Sequence, residues 1–234
     1  MATTTPRERA RAQTMTEITR IGRRHLAEYG AAALSLRAVA RDLGVVSSAV
    51  YRYVKSRDEL LTLLLVDGYD DLGDSVARAL AAVPDAGHRA RFAAFGRAVR
   101  AWARAEPATY ALLYGAPVPG YQAPEEQTTG PGTRVVRMLL ELAAAALADG
   151  ALHVAPQQRA APPGLAAGFA DVREQFGIDL PDDVLVAGVL VWAGLFGCVS
   201  FEVFGQYGPE GLGDAHDLFE RHLGLLADVL GLSG

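Results

Sequence analysis

Apolar residues recur at helical intervals along almost the whole chain, and no stretch shows the alternation of a half-buried strand. This pattern predicts an all-α fold. Its clearest part covers residues 35–61, where the intervals divide into three short helices separated by breaks. Gly44 lies at the first break, because glycine adopts the left-handed backbone that ends many helices.

The start of each short helix can also be located from its polar residues. Ser35 is a capping residue for the first helix, and the second helix is expected over 47–54. The third helix begins at Ser56 and Glu59, which have the spacing of a capping box ahead of a leucine-rich run. Two short helices joined by a four-residue turn with glycine form the helix-turn-helix arrangement of DNA-binding proteins.

Five short motifs keep a fixed spacing through this region: Gly30, SLRAVA from Ser35, LGV from Leu43, VYRYV from Val50 and SRDELL from Ser56. Over about residues 14–65 they resemble the DNA-binding domain of TetR-family transcriptional regulators. The bland alternative is an ordinary helical hairpin. The family usually has Ser or Thr two residues after the turn glycine, where this chain has Val46, so Ser47 is expected to take over the N-cap.

This resemblance implies two groups of DNA-contacting residues. The residues expected to read base edges are Arg37, Ser47, Ser48 and Arg52. The residues at family positions that hold phosphates are Tyr51, Tyr53, Lys55 and Arg57. Arginine can form two hydrogen bonds to guanine, whereas phosphate contacts fix the orientation of a protein on DNA rather than its sequence preference.

The chain is predicted to have three parts. Residues 1–13 contain Arg7, Arg9 and Arg11 without apolar periodicity, and are expected to form a flexible basic arm that lies along DNA or a tail without a role. Residues 14–60 form the helix-turn-helix domain, whose first helix begins at a Thr14 and Glu17 capping box. Residues 61–234 form a larger helical domain for ligand binding and dimerisation.

The charge distribution agrees with this division. Residues 1–60 contain eleven Arg or Lys and six Asp or Glu, whereas the remainder has eleven and twenty-one, giving +5 and −10. A basic head on an acidic body is typical of a regulator that binds nucleic acid, although solvated surface charge would produce the same asymmetry.

The sequence offers little for other chemistry. Cys198 is the only cysteine, which excludes an internal disulfide and a multi-cysteine metal site. The five histidines lack metal-ligand spacing, and no nucleophile elbow or phosphate-binding loop is present. We therefore expect no enzyme, metal or cofactor. Apolar runs interrupted before 18 residues and the absence of a signal peptide predict a cytoplasmic protein without a membrane span.

The larger domain is expected to have loops at 115–132 and 150–164, which are rich in Gly and Pro. Its aromatic residues predict an apolar pocket for a small effector, with plain core packing as the alternative. The candidate lining residues are Phe92, Phe95, Trp102, Tyr110, Tyr114, Phe176 and Trp192.

The C-terminal part contains a helix that is apolar on nearly every side, after Pro181, and a final helix from about Asp214. Trp192 with the following AGLFG resembles the TetR C-terminal domain type marked by Trp, His and Gly, with Phe196 at the histidine position. A helix that is apolar all round must be covered, which predicts a four-helix dimer interface. The candidate interface residues are Leu185, Val189, Leu195, Phe196, Gly197, Phe204, Leu223 and Leu226.

Together these features predict a homodimeric, ligand-responsive repressor that binds a palindromic double-stranded DNA operator. Two alternatives remain: a dimeric architectural or constitutive DNA-binding protein without an effector, and an all-helical enzyme.

Overall fold

The structure is a computed structural model that describes residues 5–154, 161–208 and 212–233. Within these ranges it contains helices and no β-strand, which confirms the all-α prediction. The helices are α1 (Pro6–Tyr29), α2 (Leu36–Asp42), α3 (Ser47–Val50), α4 (Arg57–Ala81), α5 (His88–Ala105), α6 (Pro107–Tyr114), α7 (Glu125–Ala148), α8 (Pro163–Phe176), α9 (Asp182–Val203) and α10 (Ala215–Leu230). A 3₁₀ turn, Ala31–Ala33, links α1 to α2.

The chain forms two compact units, of which the first runs through Asp71 and also includes Glu106–Gly132. Its core is formed by apolar side chains of α1–α4, and includes Ile18, Val39 and Leu60, all fully buried. Leu112 and Tyr121 pack against this core as partly buried residues. The predicted boundary after residue 60 is therefore wrong, because the head includes the start of α4 and the segment around α6.

An arginine joins α1 to α4 within this first unit. Arg23 donates hydrogen bonds to the carboxylates of Asp67, at 2.5 Å, and Asp71, at 3.0 Å. Desolvation opposes the charge of Arg23, but the two carboxylates outweigh it and raise the pKa of its guanidinium. The two helices that flank the helix-turn-helix, α1 and α4, are thus held by a paired charge as well as by apolar packing.

The second unit comprises Leu72–Ala105 and Thr133–Gly234. Close helix packing is visible at Gly96 of α5, where an added Cβ would lie 2.3 Å from the Leu223 side chain of α10. A nearly buried ion pair, Arg100 with Glu202 at 2.6 Å, joins α5 to α9. Because breaking a buried pair leaves an uncompensated charge, this contact fixes how α5 and α9 pack.

The flexible-arm prediction is wrong for the described part of the N-terminus, because α1 already begins at Pro6. Thr5 and Glu8 form the capping box: the Thr5 amide donates to the Glu8 carboxylate at 2.7 Å, and the Glu8 amide donates to the Thr5 hydroxyl at 3.2 Å. The Thr14 hydroxyl instead donates to the Ala10 carbonyl, as in a helix interior. Residues 1–4 lie outside the described residues.

The loop predicted over 115–132 is also shorter than expected. Helix α7 begins at Glu125 and continues through Pro131, although proline removes one helical hydrogen bond. Glu125 and Glu126 place negative charge in its first turn, which favours helix at that end. In the loop predicted over 150–164, Leu152 forms an isolated bridge with Leu232, and residues 155–160 lie outside the described residues.

Candidate nucleic-acid interface and ligand cavity

The turn between α2 and α3 has the geometry of a Schellman motif. The Gly44 amide donates to the Arg41 carbonyl at 3.1 Å, and the Val45 amide donates to the Ala40 carbonyl at 3.0 Å. Gly44 has φ of +73°, a conformation that L side chains rarely adopt. The sequence therefore specifies this turn locally, and the turn sets the angle between α2 and α3.

Helix α3 is shorter than the predicted span of 47–54. It covers Ser47–Val50, and turns continue to Val54, whose amide donates to the Val50 carbonyl at 3.0 Å. The N-cap is Val46, which has no side-chain hydrogen bond to offer, so the expectation that Ser47 serves as N-cap is wrong. Val50 and Val54 are buried as predicted, and their packing anchors the segment on the head.

The start of α4 fixes the residue that precedes it. The Glu59 amide donates to the Ser56 hydroxyl at 3.1 Å, as in a capping box. The Glu59 carboxylate, however, accepts from the Lys55 amide at 2.6 Å. The backbone of Lys55 is thereby held while its side chain remains exposed.

All eight predicted DNA-contacting residues are accessible, and none is buried. Three of them, Arg37, Tyr51 and Arg57, line a groove of about 340 Å³ on the first unit, together with Ser35. The structure thus places Arg37, predicted to read bases, beside two residues predicted to hold phosphates. Ser48, Arg52 and Lys55 are exposed outside this groove.

Only some of the N–H groups of Arg57 form hydrogen bonds within the protein. Its Nη2 donates to the backbone carbonyls of Ala31 at 3.0 Å and Ala32 at 3.3 Å, which fixes the guanidinium against the 3₁₀ turn. Its Nε is buried and has no hydrogen-bond partner. Its Nη1 lies 3.7 Å from the Asp58 carboxylate, and about a third of the Arg57 side chain is exposed, so the guanidinium retains N–H donors that suit a phosphate oxygen.

Arg11, assigned from sequence to the basic arm, lies beside a predicted phosphate contact. Its guanidinium carbon is 5.2 Å from the centroid of the Tyr53 ring, in the range of a cation–π contact. The Thr5 and Glu8 capping box is the sequence signal for this arrangement, because it starts α1 at Pro6 and so places Arg11 within the helix.

A buried histidine stabilises the packing of α1 on α2. His25 is 3% exposed, and its Nε2 lies 2.7 Å from the Asp42 carboxylate, which also accepts from Arg24 at 2.6 Å. The hydrogen bond with His25 is the main reason that the pKa of Asp42 is lowered. His25 therefore belongs to the core of the head, as expected for a histidine on an apolar helix face.

The second unit contains an apolar cavity of about 150 Å³ between α7, α8 and α9. Its lining residues are Val136, Leu139, Leu140, Phe169, Val172, Phe176, Leu185, Gly188, Val189 and Trp192. Apart from the indole N–H of Trp192, no lining side chain has a polar atom. The cavity suits an uncharged apolar group, because an unpaired polar group would lose its hydrogen bonds to water there.

Only Phe176 and Trp192 of the seven predicted pocket residues line this cavity. Phe92, Phe95 and Trp102 are buried in the packing of α5 instead. Tyr110 is fully buried in the first unit, to which Tyr114 also belongs, where burial strongly raises the pKa of Tyr114. These five residues do not line the cavity between α7, α8 and α9, and their place in an effector pocket stays a prediction.

One side of α9 carries a stripe of accessible, mostly apolar residues, here called the α9 stripe: Val186, Val189, Leu190, Ala193, Gly197, Phe201 and Phe204. Val189 and Leu190 are 64% and 58% exposed. Leu225 and Val229 of α10 are exposed as well. Large apolar residues grouped in this way mark an interaction surface.

The predicted interface residues divide between this surface and the interior. Val189, Gly197 and Phe204 belong to the α9 stripe. Four others are buried within the chain, so their assignment to the interface is wrong: Leu185, Leu195, Phe196 and Leu223. Leu226 packs towards Gly194, where an added Cβ would lie 2.8 Å from its side chain. Residues on this side of α9 are buried within the subunit because α10 packs along α9.

Helix α9 is also long and apolar enough to span a membrane by length and composition. The sequence predicts an interruption of its apolar run, but the helix continues through its glycines. Core helices of soluble domains pass the same test. Only 39% of its most apolar window is buried, which leaves the α9 stripe to be covered. Among the described residues no group of three or more His, Cys, Asp or Glu could hold a metal ion.

Comparisons with known proteins match both units. The family model described as bacterial regulatory proteins, tetR family, matches residues 18–64. The model described as tetracyclin repressor-like, C-terminal domain, matches residues 92–226. The second match covers α9 and most of α10.

Whole-chain relatives agree. The HTH-type transcriptional regulator Rv1816 of Mycobacterium tuberculosis H37Rv is 48% identical over 224 residues, which are 96% of this chain and 95% of the relative. The regulator Mb1846 of Mycobacterium bovis matches equally well. The crystal structure of the regulatory protein SCO4313 is 33% identical with a TM-score of 0.76, and the match covers 96% of this chain and all of that one. The chain belongs to the TetR family of transcriptional regulators, which are DNA-binding proteins and not enzymes.

Proposed function

We propose that this regulator is a cytoplasmic, ligand-responsive repressor that binds a palindromic operator as a homodimer. The observation that carries the proposal is the helix-turn-helix, whose eight predicted DNA-contacting residues are all accessible and lie within residues 1–60, the segment of charge +5. Phosphate attraction supplies much of the affinity of such a surface, and the exposed residues of α3 supply base contacts.

The proposal of a homodimer follows from the small number of base pairs that one head can contact. A single helix-turn-helix reads only a few base pairs, so specific binding requires two heads related by a two-fold axis. TetR-family regulators are dimeric. In this chain the α9 stripe and the exposed face of α10, with Leu225 and Val229, provide the apolar surface for a self-complementary interface.

The response to a ligand is supported by the apolar cavity of the second unit. A ligand shifts a regulator only if it binds one conformation more tightly than the other. Binding between α7, α8 and α9 would favour a dimer whose two heads no longer match the spacing of the operator grooves.

A constitutive repressor without an effector is the second candidate. It is favoured by the burial of Phe92, Phe95 and Trp102 in the core of the second unit. Purified protein whose operator affinity stays constant across a panel of small apolar compounds would support it.

Selection of bound sequences from a random DNA pool tests the proposed function. We expect two inverted half-sites, because the two-fold axis of the dimer imposes its symmetry on the site. Their centres should lie about 34–36 Å apart, which is one turn of DNA, or a multiple of this distance. No enriched sequence, or a single unrepeated half-site, would contradict the proposal.

The predicted division of labour within the head can be tested with two substitutions. Arg37→Ala should relax the preference at one position of each half-site and cost about 1–3 kcal/mol there, because a bidentate base contact is lost. Tyr51→Phe should weaken binding to all sequences alike, since it removes a phosphate contact. The same pool selection, with both variants, measures these effects. Uniform weakening by Arg37→Ala would contradict this assignment and place Arg37 with the phosphate contacts.

A further inference from the structure

The apolar cavity of the second unit and the α9 stripe meet at one residue. Val189 lines the cavity and is nevertheless 64% exposed, so the cavity is open at this side chain. The other cavity residues of α9 are Leu185, Gly188 and Trp192.

The geometry of a helix relates these positions. Successive residues are turned by about 100°, so Leu185, Gly188 and Trp192 point to one side of Val189. Leu190, Gly197 and Phe204 point to the other side and form the α9 stripe. Val189 therefore lies at the edge between the cavity wall and the surface that the proposed dimer covers.

We propose that the cavity is the effector site and that the second subunit completes its wall at Val189. This inference rests on the proposed homodimer. A subunit packed on the α9 stripe would cover the opening, so ligand binding and dimerisation would strengthen each other. Such coupling is reciprocal by thermodynamic necessity.

The size and lining of the cavity define the ligand. An apolar protein cavity of about 150 Å³ is known to remain dry and to bind benzene or xenon. The present cavity has about the same volume and an almost wholly apolar lining. The ligand is therefore an uncharged apolar group of about six carbons, either a ring or the end of a chain, whose remainder leaves the cavity past Val189.

Arg137 holds Phe176, one of the lining residues, in place. Its Nη1 donates to the Phe176 carbonyl at 3.1 Å, and its guanidinium carbon lies 5.0 Å from the centroid of the Phe176 ring. Phe176 is thus fixed at the end of α8 from outside the cavity. The opening at Val189 is the side that a second subunit would close.

Filling the cavity tests its location. An added Cβ at Gly188 meets no atom within 4 Å, so Gly188→Leu can direct its side chain into the cavity without clashing. We expect calorimetric titration with benzene to show binding to the wild type and none to Gly188→Leu. The thermal midpoint of Gly188→Leu should not fall, since leucine favours helix and fills the void. Gly168→Leu, on the exposed side of α8 with equal room, is the matched control and should bind benzene like the wild type.

Breaking the dimer tests the shared wall. Leu190→Glu places a charge on the α9 stripe without touching the cavity, and sedimentation should show a monomer. We expect this monomer to bind benzene about tenfold more weakly, which corresponds to losing about 55 Å² of apolar covering at about 25 cal/mol per Å². Saturating benzene should in turn tighten the wild-type dimer about tenfold per site. Leu165→Glu, at an exposed leucine of α8, is the control that remains dimeric.

The outcomes separate this inference from the proposed function. A wild-type dimer that binds its operator but not benzene would overturn the inference alone. So would a Leu190→Glu monomer with undiminished benzene affinity, or a Gly188→Leu variant that still binds benzene. A wild-type chain that sediments as a monomer would overturn the proposed dimer and the shared wall together.

Discussion

Raising the salt concentration from about 50 to about 200 mM should weaken operator binding about 10³–10⁵-fold, if about 6–10 phosphates are contacted. Each phosphate neutralised by Arg or Lys releases counterions, and their release becomes less favourable as salt rises. Two heads with three to five cationic contacts each would give this number. The cations available on each head include Lys55, Arg57 and Arg11, all of which are accessible.

The salt slope, which is the steepness with which the logarithm of the binding constant falls with the logarithm of the salt concentration, can be assigned to single residues. Lys55→Gln should lower it by about 2 for a dimer, because one phosphate contact is lost on each head. Arg78→Gln removes an exposed arginine of α4 outside the helix-turn-helix, and its slope should equal that of the wild type. Fluorescence anisotropy over a salt series measures all three proteins. An affinity that changes by less than about tenfold over the whole range would contradict the phosphate-binding surface.

The helix-turn-helix could be predicted from sequence because its signals are local. The Schellman turn needs glycine at residue 44, and the intervals of Val39, Val50 and Val54 specify one buried side. The predicted positions of these residues agree with their burial. The same local rules also explain the error at the start of α1, since Thr5 with Glu8 is a capping box as good as Thr14 with Glu17.

The arrangement of the second unit could not be predicted in the same way. Helix α9 is apolar on nearly every side, so its sequence does not show which side the same subunit covers. Contacts with α5 and α10 decide this, and they bury Leu195 and Phe196 while Val189 remains exposed. Aromatic residues carry the same ambiguity, because Phe92 fills the core and Phe176 lines the cavity with nothing in the sequence to separate them.

Gly197→Glu should give a monomer that no longer binds a palindromic operator. Gly197 lies on the α9 stripe, and an added Cβ there meets no atom within 4 Å, so the substitution is tolerated within one subunit. In a dimer formed through this surface, two unpaired carboxylates would be buried. Each such charge costs about 3–5 kcal/mol, so the pair should raise the dissociation constant of the dimer about 10⁴–10⁷-fold.

Gly168→Glu is the matched control for this prediction, because Gly168 is a helical glycine of the same unit with equal room for a side chain but lies on the exposed side of α8. Sedimentation of both variants measures the dimer, and circular dichroism shows whether each remains folded. A folded Gly197→Glu monomer beside a dimeric Gly168→Glu protein would assign the two-fold axis to α9. If Gly197→Glu instead remains a dimer with wild-type operator affinity, the two heads must be joined through another surface, and Val189 would then open to solvent rather than to a second subunit.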